Sequence, residues 1–81
     1  MSKIQDCADL IIKIMTYSSN DDTIRVESKL NSVIESMLIF LDYDDLIDIL
    51  DNRVRPNLLP KKLIIWSEYI NNQITYFKEC L

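Results

Sequence analysis

Apolar residues recur along most of this chain at intervals of three and four, the spacing that gathers them on one side of an α-helix turning by about 100° per residue. From Lys3 to Tyr17, residues Ile4, Cys7, Ala8, Leu10, Ile11, Ile14 and Met15 share a wide apolar arc, with Gln5, Asp6, Asp9, Lys13 and Thr16 opposite. Ser2 and Gln5 stand at capping-box spacing, in which each side chain bonds to the other's backbone amide. Ser18, Ser19, Asn20, Asp21 and Asp22 then break the pattern, because such side chains bond to their own backbone and cap helices rather than extend them.

A second helix is expected over residues 23–41, capped by Asp21 or Asp22. Val26, Leu30, Val33, Ile34, Met37, Phe40 and Leu41 lie on one face, and Arg25, Ser28, Ser32, Glu35 and Ser36 on the other. Asp42 offers a fresh N-cap with Asp45 three residues on, and Leu41 is placed to staple against Leu46. A short third helix over 43–52 follows, the competing reading being an unbroken continuation of the second. In it Tyr43, Leu46, Ile47, Leu50 and the following Val54 fall on one side. Asp44, Asp48 and Asp51 fall opposite, with Asp45 beside them.

Asn52 is placed to end this helix in a left-handed cap, and Pro56 to push Arg55 out of the helical region. Arg53 and Arg55 would then suit the negative end of the helix dipole. Pro60 opens a fourth helix over 60–80, where Lys61 and Lys62 oppose the dipole and so hint at another task. Its stripe of Leu63, Trp66, Ile70, Ile74, Phe77 and Leu81 spans about 80° and reads as core. Ile65, Tyr69, Asn72 and Tyr76 form a second line on a different side, which a core facing one way does not require. The expectation is an all-α chain: a small antiparallel bundle of four helices, the third short, in one domain covering 1–81.

Composition supports this. Hydrophobic residues make up 48% of 81 residues, glycine is absent and there are two prolines, so the punctuation of tight hairpins is missing. The two cysteines, Cys7 and Cys80, near opposite ends, read as free thiols. The start of the chain lacks a signal-peptide core, and the longest apolar run, 37–41, is too short to span a bilayer; a cytoplasmic protein without membrane contact is expected.

Chemistry is constrained more by what is missing. Without histidine the commonest general base and metal ligand is gone, and without glycine there is no phosphate-cradling loop. The reading is therefore not an enzyme, with no cofactor and no metal site. Asp44, Asp48 and Asp51 could meet a cation, but their spacing does not fit an EF-hand loop.

Charge gives the positive signal. The net charge is −4, and five of the thirteen acidic side chains fall in the eleven residues 41–51, which disfavours nucleic acid and favours a basic protein partner. Carboxylates bunched at i,i+4 repel one another by a few tenths of a kcal/mol per pair, a cost that a surface serving only solubility could have avoided. Asp44, Asp45, Asp48 and Asp51 are the expected charged contacts. Ile65, Tyr69, Asn72 and Tyr76 are the expected anchors, since tyrosine is enriched at binding hot spots.

These features suggest a small acidic module that neutralises a basic partner, such as an immunity-type inhibitor of a bacterial nuclease toxin. A chaperone or assembly subunit that shields a hydrophobic surface is the alternative. A regulator that displaces nucleic acid by charge mimicry would carry nearly the same signature. A homodimer is compatible with either surface.

Overall fold

The computed structural model describes residues 2–80. Among them 82% are helical and none is in a strand, and the order of elements is that of a four-helix bundle. Helix α1 runs Lys3–Thr16, α2 Thr23–Met37, α3 Tyr43–Asp48 and α4 Pro60–Cys80. A π-helical turn, Ile49–Val54, and a 3₁₀ turn, Arg55–Asn57, extend α3 toward α4.

The third segment is the centre of the packing. Leu46, Ile49, Leu50 and Val54 are all fully buried, between Ala8, Ile11 and Met15 of α1 and Trp66, Ile70 and Phe77 of α4. Burying an aliphatic side chain of this size is worth about 1.5–3 kcal/mol, so these four positions anchor a chain whose core is small. The expected stripe on α4 is core from Trp66 to Phe77, with Leu63 half-buried; Leu81 lies outside the described residues.

Several ends differ from expectation. Helix α2 stops at Met37 rather than at 41: the Ile39 and Phe40 amides turn to Ser36 and Met37, three residues back. The reason is the next cap. Asp42 is extended, accepts from the Asp45 amide at 2.9 Å and donates its own amide to the Asp45 carboxylate at 3.4 Å, a complete capping box that requires the chain to leave the helix first. Phe40, just past the helix end, is left exposed beside Val33 and Met37 rather than buried in the core.

The Ser2 box does not form, because Gln5 is drawn elsewhere: its amide donates to Asp9 at 2.9 Å and its carbonyl accepts from Arg53 at 2.7 Å. Asp22 is the N-cap of α2 but makes no side-chain cap bond; it pairs with Arg25 at 3.7 Å.

Asn52 takes no left-handed cap, since no described residue has positive φ; its side chain bonds Asp48 within the π turn. Arg55 keeps helical angles, φ −54° and ψ −49°, despite preceding Pro56. The steric bias of a pre-proline residue is outweighed here by the burial of Val54 and Leu58 on either side and by the bond from Arg55 to Asn71.

Lys62, at the wrong end of α4 for the dipole, has a clear task. Its Nζ donates to the Ser18 carbonyl at 2.7 Å and to Asn20 Oδ1 at 3.2 Å, holding the loop after α1 against the start of α4. Both thiols are free, Cys7 buried and Cys80 exposed. No described helix is long and apolar enough to cross a membrane.

Candidate functional site

The acidic segment sits on the outer side of the element whose inner side is the core. Asp44 is exposed and makes no ion pair with a described residue. Asp45 is half-buried and committed to the capping box. Asp48 and Asp51 are not free charges. Asp48 accepts from Asn52 at 2.8 Å and from Arg53 Nε at 3.0 Å, and Asp51 lies 3.3 Å from Arg55 Nε.

The π turn explains the first pair. In an α-helix positions 48 and 53 would be about 140° apart, whereas an i→i+5 turn stacks them. The two hydrogen bonds, from Asn52 first and then Arg53, hold the Asp48 carboxyl below the usual carboxylate range.

The same arginine reaches α1. Arg53 Nη1 donates to Gln5, which bonds Asp9, so a continuous hydrogen-bonded chain Asn52, Asp48, Arg53, Gln5, Asp9 crosses from the third segment to α1. Asp9 thereby joins the acidic surface. Its i,i+4 relation to Gln5 is visible in the sequence; the bond between Arg53 and Gln5, 48 residues apart, has no local signal.

The line on α4 is split by the fold. Tyr69 is buried rather than outward-facing, and its hydroxyl donates to Asn31 Oδ1 at 2.7 Å. Burial, and then the charge of Glu27, push its phenol well above the ordinary range. Ile65 is half-buried, while Asn72 and Tyr76 are exposed. Ile65, Tyr69 and Asn72 line a polar cleft of about 380 Å³ between α2 and α4, closed by Glu27, Asn31, Glu68 and Gln73. Tyr76 lines the adjoining groove.

An aromatic row links this region to the acidic helix. Tyr76 meets the Phe77 ring edge-on at 5.4 Å, and Phe77 stacks on Tyr43 at 5.7 Å, immediately before Asp44. The structure thus brings Tyr76 toward the start of α3, while Tyr69 supports the cleft from inside.

No grouping of carboxylates and thiols among the described residues has the geometry to hold a metal ion. Burial and the neighbouring Asp6 charge push the Cys7 thiol up, which makes it a poor nucleophile. No family model matches the chain, and neither a curated protein nor a solved structure matches it.

Proposed function

We propose that this protein is a binding module that covers a basic surface of another protein, in the manner of an immunity-type inhibitor of a bacterial toxin such as a nuclease. The observation that carries the reading is where the charge sits. Residues 42–55 hold five aspartates and two arginines, a net −3, while the rest of the chain holds eight acidic and seven basic residues, a net −1. Three of the four net negative charges are therefore carried by one core-anchored segment, an arrangement that suits steering of a cationic partner.

Asp44 is the free contact in this scheme. Asp48 and Asp51 serve a second purpose: a partner's cation can share carboxylates that Arg53 and Arg55 already hold in place, so little side-chain entropy remains to be lost on binding. Tyr76 and Asn72 stand at the edge as contacts, and Tyr69 holds the neighbouring cleft open.

The test is capture of partners from a lysate at low and high salt, with wild type and with a variant carrying Asp44→Asn, Asp48→Asn and Asp51→Asn. One basic partner, lost at high salt and captured poorly by the triple variant, is the expected result. Capture unchanged by the three substitutions refutes the reading. The alternative, a subunit that shields an apolar partner, is favoured by a different observation, the exposure of Leu10 and Phe40; capture that persists at high salt and depends on those two residues supports it instead.

A further inference from the structure

The apolar arcs of α1 and α2 are wider than the core uses. Ala8, Ile11 and Met15 fill the core side of α1, and Leu10 and Tyr17, 44% and 80% exposed, are left to one side of that stripe. On α2, Leu30, Ile34 and Met37 are buried while Val26 and Val33 remain half-exposed, and Phe40, just past the helix, is 52% exposed.

These leftovers face one another. Cys7, Leu10, Val33, Met37 and Phe40 line one open groove between the two helices, with Asp6 and Ser36 at its edge. A second, sharing Leu10 and Val33 with it, continues past Ile14 and Val26 to Tyr17. Together they run the length of α1, 14 residues or about 21 Å.

The charge around the wider part of this groove is opposite to that of the molecule. Lys13, Arg25 and Lys29 line the wider part, with Asp22 as the only acid beside them among the lining residues. Asp22 offsets Arg25 weakly, at 3.7 Å between two well-exposed side chains, and Lys13 and Lys29 have no ion-pair partner among the described residues. An apolar floor whose wider part has a net positive rim, three cations to one acid, is thus present on a chain of net charge −4, with Asp6 at the narrower end.

We infer that the groove between α1 and α2 is a docking site for an amphipathic helix of another protein, one whose apolar stripe is flanked by acidic side chains. The floor is open along its whole length, so a helix can insert one stripe and keep its other faces in water, whereas an acyl chain would leave half its surface wet. The cations then meet the flanking carboxylates. A second copy of this chain related by a two-fold axis would set the same rim of Lys13, Arg25 and Lys29 against itself, which like-charge repulsion opposes. Its own acidic segment cannot serve either, because the apolar side of that segment is already buried.

This site is distinct from the acidic surface. On α1 the groove residues Leu10 and Ile14 lie about 140° from Gln5 and Asp9, on the other side of the buried stripe.

The experiment uses the full chain and two fluorescent peptides of about 14 residues, with leucines at i, i+3, i+4 and i+7 and either glutamate or lysine flanks, read by anisotropy. The glutamate-flanked peptide should bind, with the lysine-flanked one about tenfold weaker or worse. Lys13→Glu, Arg25→Glu and Lys29→Glu together should reverse that preference, and Leu10→Asp with Phe40→Asp should remove binding of both. The charge reversals are at exposed positions and carry the test even if the aspartate variants unfold, which thermal melts would reveal.

No binding of the glutamate-flanked peptide, or equal binding of both, overturns the proposal. So does displacement of that peptide by monomeric dodecanoate at lower concentration than the unlabelled peptide requires, which would make the groove an acyl site. A concentration-dependent dimer abolished by Leu10→Asp would make it a self-association face and overturns it equally. Asp44→Asn should leave peptide binding unchanged, so the outcome is independent of the acidic surface.

Discussion

Tyr69 donates its hydroxyl to Asn31 Oδ1 at 2.7 Å, joining α4 to α2 across 38 positions of sequence. The ring is buried edge-on to Trp66 at 6.0 Å, and Gln73 donates to the same Asn31 oxygen at 3.3 Å.

Tyr69→Phe should cost about 1 kcal/mol at neutral pH, the net value of one such hydrogen bond. Because the folded-state pKa is raised above the ordinary value near 10, the stability this group contributes is complete below about pH 10 and lost as pH rises from there through the folded value. The stability difference between wild type and Tyr69→Phe in urea should therefore narrow above about pH 10; curves that stay parallel would contradict the burial seen for this phenol.

Asp42→Ala should lose about 1 kcal/mol, and Asp42→Asn only a few tenths, because asparagine caps nearly as well. Urea midpoints of the two variants check this. Equal losses would mean that the negative charge at the start of α3, and not the cap, is what matters.

Lys62→Met keeps the aliphatic stem but removes the donor to Ser18 and Asn20. A destabilisation of about 1 kcal/mol is expected. Amide exchange in the loop 17–22 should speed up more than in the middle of α2. Uniform acceleration would show that the contact does not hold the loop locally.

Asp48 titrates in the opposite sense to Tyr69. Its folded-state pKa is depressed by the bonds from Asn52 and Arg53, so its contribution is present above the ordinary carboxylate value near 4 and is lost as pH falls through the folded value. Asp48→Asn should flatten the acid limb of the stability profile and change neutral stability by no more than ~1 kcal/mol, as for other exposed pairs. An unchanged acid limb would rule out the pairing as a source of pH dependence.

Periodicity made four helices legible, since each has its own apolar stripe, and Asp42 with Asp45 named a cap that the structure contains. Where two local signals competed, the sequence was less informative. The apolar pattern of α2 runs on to Leu41, but the capping box at Asp42 ends the helix at Met37 and leaves Phe40 outside the core. Ile49 lies off the stripe at α-helical spacing, yet it is buried because the third segment is packed by both α1 and α4.

The candidate site divides along the same line. Residue order by itself determined that five aspartates crowd one short segment with an apolar side for the core, because charge and hydrophobic spacing are local properties. Tertiary structure alone decided which of them remain available. The π turn lifts Arg53 over Asp48, Arg53 extends to Gln5, and Tyr69 turns inward to Asn31. The Asp48–Arg53 pair, five positions apart, follows from the π turn, whereas the bonds of Arg53 to Gln5 and of Tyr69 to Asn31 depend on which helix lies alongside, a relation between residues 48 and 38 positions apart that no local spacing encodes.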